Sequence, residues 1–118
     1  MHKIIALCVV IAAVIGFGLY WNKTHAVEQV VALHAALKHG TLDPDRLTAP
    51  QGSTVELDIT SDEAGVIHVE DYEVFDSVTL QKPARIIFTA ATSGEYMIHI
   101  HPDSTPNDEI ELGRLIVR

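Results

Sequence analysis

The sequence has a single cysteine, Cys8, and it sits in an apolar N-terminal block. No intramolecular disulfide can form, and the C-terminal two thirds has no thiolate to serve as nucleophile, redox partner or metal ligand. Redox dithiol chemistry, cysteine catalysis and cysteine-rich zinc sites are thereby excluded. Basic residues are also scarce. From Gly40 onward the chain holds every one of its 16 acidic residues except Glu28, against only Arg46, Lys82, Arg85, Arg114 and Arg118. Such a surface repels nucleic acid and anionic headgroups and attracts cations or basic partners, so no nucleic-acid role is expected. There is no phosphate-cradling glycine loop and no serine on a nucleophile elbow. Glu70-Asp71 and Asp108-Glu109-Ile110-Glu111 read as charged loop faces rather than catalytic pairs. With those classes gone, the chain is not expected to be an enzyme.

What is present begins with a long apolar run. Ile4 to Trp21 carries no charged residue, with Lys3 before it and Lys23 after it. Eighteen helical residues span about 27 Å, close to the thickness of a bilayer's hydrocarbon core. Tyr20 and Trp21 close the run with rings suited to the headgroup layer. Residues 1–24 therefore read as a membrane anchor. The competing reading is a cleaved signal peptide, which would need the poor site Thr24-His25-Ala26 behind a lysine. Cys8 follows Leu7 rather than a small residue, and the apolar run continues past it, so it does not read as a lipidation site. Either way the remainder is expected outside the cytoplasm, and the anchored form places it on the periplasmic side of a cell inner membrane.

Residues 25–40 read as a short amphipathic helix, a stalk. Val27, Val30, Val31, His34 and Leu37 recur at three- and four-residue steps. Glu28 falls in the first turn, Lys38 and His39 in the last, and Gly40 at the position that commonly ends a helix. His34, on the apolar stripe, is expected to pack rather than to ligate.

From residue 41 to 118 the expectation is one all-β domain. Val55, Leu57 and Ile59 alternate with Thr54, Glu56, Asp58 and Thr60, the pattern of a half-buried strand. A strand is expected over Val66–Phe75 with a bulge or bend near Glu70-Asp71, where the parity slips. Further strands are expected at Ser77–Leu80, Ala84–Thr89, Glu95–His101 and Arg114–Val117, with Pro102–Gly113 as the longest loop. Short strands at near-regular spacing indicate a β-sandwich. Its inward residues are Val55, Leu57, Ile59, Ile67, Val69, Ile86, Phe88, Tyr96, Ile98, Ile100, Leu115 and Val117.

The stretches TVELDITSDEAGVIHVEDYEV, KPARIIFTAATSGEYMIHIH and ELGRLIV together resemble the cupredoxin-like domains of exported bacterial proteins, over roughly Leu47 to Val117. The resemblance implies a Greek-key β-sandwich with any metal site where the second and penultimate of these strands end. His68 matches the first histidine of the family's His-Val-His-Gly-Tyr segment and Tyr72 its tyrosine. Glu70 and Asp71 replace the second histidine and the glycine. His101 matches the histidine that ends the later strand, and His99 is an additional one. A blue-copper site also needs a cysteine, which Ile100 replaces, and a histidine and a methionine in the following loop, which has neither. Electron transfer is therefore not expected.

Strand geometry puts His99 and His101 on one face, about 6.6 Å apart, with Met97 on the same side. That face is expected to be solvent-exposed, since Tyr96, Ile98 and Ile100 take the core side. His68 and Glu70 share a face likewise. The candidate metal ligands are thus His68, Glu70, Met97, His99 and His101, with His101 the most important. Imidazole with carboxylate suits copper(II) or zinc(II), and the thioether adds some preference for copper(I). Two functional readings stand. One is a membrane-anchored, extracytoplasmic module binding copper or another divalent metal for tolerance, storage or delivery. The other is a metal-free sandwich that binds a membrane or periplasmic protein, as an accessory subunit of an inner-membrane complex.

Overall fold

A computed structural model describes residues 29–118. The expected anchor and the first residues of the expected stalk lie outside the described residues. Those described form nine strands and no helix. The strands are β1 (Val30–Lys38), β2 (Thr41–Asp43), β3 (Arg46–Ala49), β4 (Thr54–Ser61), β5 (Gly65–Val69), β6 (Val74–Val78), β7 (Ala84–Thr89), β8 (Gly94–Pro102) and β9 (Ile110–Val117). They build a four-stranded sheet in the order β2-β1-β4-β7 and a five-stranded sheet in the order β3-β9-β8-β5-β6. All twelve residues expected to face inward are buried, joined by Leu37, Leu42, Leu47, Val78 and Leu112. Alternation along each strand fixed this, because one side of every pleat has to leave water.

The expected amphipathic helix is not formed over its described part. Val30–Lys38 is instead strand β1, paired in parallel with β4 from Val30↔Thr54 to Leu37↔Ser61. The segment carries both periods at once: Val31, Leu33, Ala35 and Leu37 also alternate, and Ala35 and Leu37 are buried. Its alanines favour helix in isolation. Eight paired residues along β4 outweigh that preference, a tertiary override of weak local propensity. His34 accordingly does not pack in a helix interface. It stands exposed on the outer face of the four-stranded sheet, Nδ1 3.6 Å from the Asp58 carboxylate.

The single strand expected over Val66–Phe75 is a hairpin. β5 and β6 pair antiparallel from Gly65↔Val78 to Val69↔Val74 around the turn Glu70–Glu73. Asp71 and Glu73 take positive φ values of 67° and 53° in that turn, and the parity slip read from the sequence marks this reversal. The turn's Tyr72 packs on Phe88 and Tyr96, and both tyrosine hydroxyls donate to the Thr92 carbonyl. Between the two sheets, the Asp76 carboxylate at β6 accepts the backbone N–H of Arg85 at β7, 2.9 Å away.

Strand β9 begins four residues earlier than expected and contains a bulge. Ile98 pairs with Gly113 but His99 pairs with Glu111, leaving Leu112 as the extra residue. The insertion flips the side-chain parity of everything before it. Leu112 turns into the core, and Glu111 is thrown to the outer face instead. Gly113 is required by a close approach: a Cβ there would lie 2.4 Å from the Asp45 carbonyl oxygen, which accepts the Arg114 N–H.

Candidate metal centre

The central strand β8 carries Met97, His99 and His101 on the outer face of the five-stranded sheet, since Tyr96, Ile98 and Ile100 fill the core. β5 lies alongside with His68 directly opposite His99. On such an antiparallel rung opposed side chains are nearest neighbours. The His68 Nδ1 lies 2.8 Å from the His99 Nε2, with the rings edge to face at 4.6 Å.

His99 is not solvent-exposed as expected. Only 1% of it is accessible. Neighbours on the same face cover it: His68 on β5, His101 edge-on at a ring separation of 5.4 Å, and Glu109, which precedes β9. The Glu109 Oε1 lies 3.1 Å from the His99 Nε2. A carboxylate only accepts, so the tautomer compatible with Glu109 is the one with the hydrogen on His99 Nε2; the His68 contact fits either tautomer. The other ring nitrogen, His99 Nδ1, is buried with no hydrogen-bond partner among the described residues.

Burial pushes the His99 imidazole below the ordinary histidine value. Glu109 opposes this, the neighbouring His68 and His101 reinforce the lowering, and Glu70 adds a small pull in the same direction as Glu109. The ring is therefore neutral at pH 7, the form that binds metal ions.

The five candidate ligands are not brought together equally. His68 and His99 meet nitrogen to nitrogen. His101 lies opposite Val66, two rungs away, and touches His99 through its ring rather than a nitrogen. Glu70 is exposed in the β5–β6 turn, and its backbone N–H bonds the Met97 carbonyl one rung beyond Val69↔Ile98. Met97 is half-buried opposite Arg114. Glu109 is the residue that sequence reasoning set aside as loop charge. The bulge at Leu112 puts it beside His99, and nothing in the local sequence pattern announces a bulge there.

A thiolate-copper centre does not fit, because no cysteine stands among the described residues. Imidazole nitrogens with a carboxylate oxygen do fit copper(II) or zinc(II) by donor chemistry. Among the described residues, no three His, Cys, Asp or Glu side chains already stand as a ready metal cage. Two nitrogens each about 2.0–2.1 Å from one ion stand wider apart than a hydrogen-bonded pair, so His68 and His99 hold a proton between them in this structure.

The Cupredoxin-like domain family matches residues 9–117 of the chain. No curated protein is similar enough in sequence to count as a relative. Among solved structures, a chain from a heme-copper terminal oxidase dimer aligns over 99% of both chains, with TM-score 0.63 and 15% identity. A copper-binding protein in its apo form aligns over 80% of this chain and 93% of its own, with TM-score 0.62 and 12% identity. The metal-binding domain of the Streptococcus pneumoniae Cu(I)-exporting ATPase CopA aligns over 80% and 91%, with TM-score 0.61 and 12% identity. At these identities the likeness is one of fold.

Proposed function

The chain belongs to the cupredoxin-like family, and from that premise we propose that it is a membrane-anchored, extracytoplasmic domain that binds copper(II) or zinc(II) through His68 and His99. One observation carries the reading: two imidazole nitrogens 2.8 Å apart, one of them on a buried ring kept neutral by its surroundings. Burying His99 on the outer face of a sheet has no packing rationale, since an aliphatic residue would cover the same surface without leaving Nδ1 unpaired. The copper-binding protein and the copper-exporter domain that share the fold are in keeping with this role. Without a thiolate the domain holds or hands on an ion and does not pass electrons. The test is metal content of the detergent-solubilised full chain after loading with copper(II) and zinc(II). Near-stoichiometric uptake supports the reading, and none removes it. Location is tested separately by adding protease to spheroplasts, which digests an outward-facing domain and spares an inward-facing one.

A second reading is an accessory subunit of an inner-membrane complex, metal-free in its function. What favours it is the alignment over 99% of both chains with a component of the terminal oxidase dimer, a match in overall length as well as fold. Co-purification of a tagged full chain with a membrane complex, unaffected by His68→Gln, would favour this reading over the first.

A further inference from the structure

We propose that Glu109 supplies the third donor to the His68–His99 pair, making this a two-histidine, one-carboxylate site selective for copper(II) or zinc(II) over copper(I). The inference rests on the metal-binding reading above and names its oxygen ligand. Four observations converge on Glu109 rather than on the other neighbours.

The first is reach. The Glu109 Oε1 lies 3.1 Å from the same His99 Nε2 that meets His68 Nδ1 at 2.8 Å. The three side chains thus converge on the His99 Nε2, and a cation seated there meets two nitrogens and one oxygen. The second is the backbone. The Leu112 bulge reverses the parity of β9, and without it the acids before it would face the core rather than the histidines. The third is the loop before β9, which is folded rather than trailing. Asp103 N–H bonds the Ala64 carbonyl, Thr105 N–H the Pro102 carbonyl, and Asp108 N–H the Thr105 carbonyl. The first bond fixes the start of the loop beside the Gly65↔Pro102 end of β5–β8, and the other two are turns that fold the loop on itself before Glu109.

The fourth is the company each acid keeps. Glu111 is held by Arg114, and Glu95 by both Arg46 and Arg114. Glu109 has no arginine or lysine among its ion pairs in the described residues, only His99. The Glu109 side chain remains 54% exposed, so an ion can approach from solvent on that side. A hard oxygen donor beside two imidazoles suits copper(II) and zinc(II), whereas copper(I) prefers soft sulfur.

The experiment compares the full chain in detergent with E109Q, E111Q and H68Q. Competitive titrations would use copper(II), zinc(II) and copper(I), with electron paramagnetic resonance of the copper(II) forms. E111Q removes the same charge two residues away and controls for long-range attraction. E109Q is expected to weaken copper(II) and zinc(II) binding at least about tenfold, since even outer-shell partners of a metal ligand cost that much. E111Q should change it by a few-fold at most, copper(I) affinity should not fall in E109Q, and the resonance parameters should shift in E109Q but not in E111Q. If E109Q and E111Q behave alike while H68Q loses the ion, Glu109 is not a ligand and the histidine reading survives without it. If the wild-type chain takes up neither metal, both ideas fall together.

Discussion

His68 and His99, 31 residues apart in the chain, stand directly opposite each other on β5 and β8 with Nδ1 and Nε2 2.8 Å apart. Neither would be more than an ordinary histidine on a strand without the other. The pairing also reorders the expected ligand hierarchy, because the family match at His101 points to a ring that meets His99 edge-on. In calorimetric titration with copper(II) at neutral pH, His68→Gln should abolish most binding and His101→Gln should cost distinctly less. His34→Ala, on the opposite sheet, should leave it unchanged. A larger loss at His101 than at His68 would show that the ion sits two rungs further along, toward Val66.

The buried His99 makes the metal-free domain sensitive to mild acid. Its folded value is depressed, while in the unfolded chain it titrates near 6.5. Between those values the unfolded chain binds the extra proton, so stability is complete above about pH 6.5 and declines as pH falls toward the folded value. Thermal melts with chelator at pH 7.5 and 5.5 should show this drop. His99→Gln should flatten the difference whatever it does to the melting temperature itself. An equally steep drop in that variant would place the sensitivity elsewhere.

Asp76 fastens the edge of one sheet to the other. Its carboxylate accepts the N–H groups of Arg85 and Ser77, and Lys82 lies 3.6 Å away. The Arg85 bond first, with Lys82 and Ser77, holds the carboxyl below the usual aspartate value despite some burial. A depressed acid stabilises above its unfolded value and loses that contribution as pH falls through the folded one. Asp76→Asn should cost about 1 kcal/mol at pH 7, discounted for partial exposure. The gap to wild type should close as pH falls through that depressed folded value, below the usual aspartate range. Chemical denaturation across that range checks it, and a pH-independent gap would mean the charge is irrelevant.

Gly113→Ala is a packing test at the other edge of the site. The added Cβ would lie 2.4 Å from the Asp45 carbonyl oxygen and 3.1 Å from its carbon, backbone atoms that cannot swing aside. Overpacking of this kind costs about 1–3 kcal/mol. A drop of several degrees in melting temperature is expected, and an unchanged melt would show that β3 and β9 separate more readily than their pairing implies.

The sequence by itself determined the all-β sandwich and its interior. In Val55, Leu57 and Ile59, as in Tyr96, Ile98 and Ile100, a period of two admits only one way of hiding the apolar side. It also placed His68, His99 and His101 on outer faces, because parity follows from the neighbours in the same strand. Only the tertiary structure decided three other things. Val30–Lys38 became a strand because β4 offered it a parallel partner, against alanine's helical preference. His99 became buried because His68, His101 and Glu109 arrive over it from elsewhere in the chain. Glu109 reached the histidines because one residue, Leu112, is inserted in β9 without a counterpart in β8. Periodicity reports the face on which a side chain sits. What covers that face is set by cross-strand register, which is a property of two segments and is carried by neither alone.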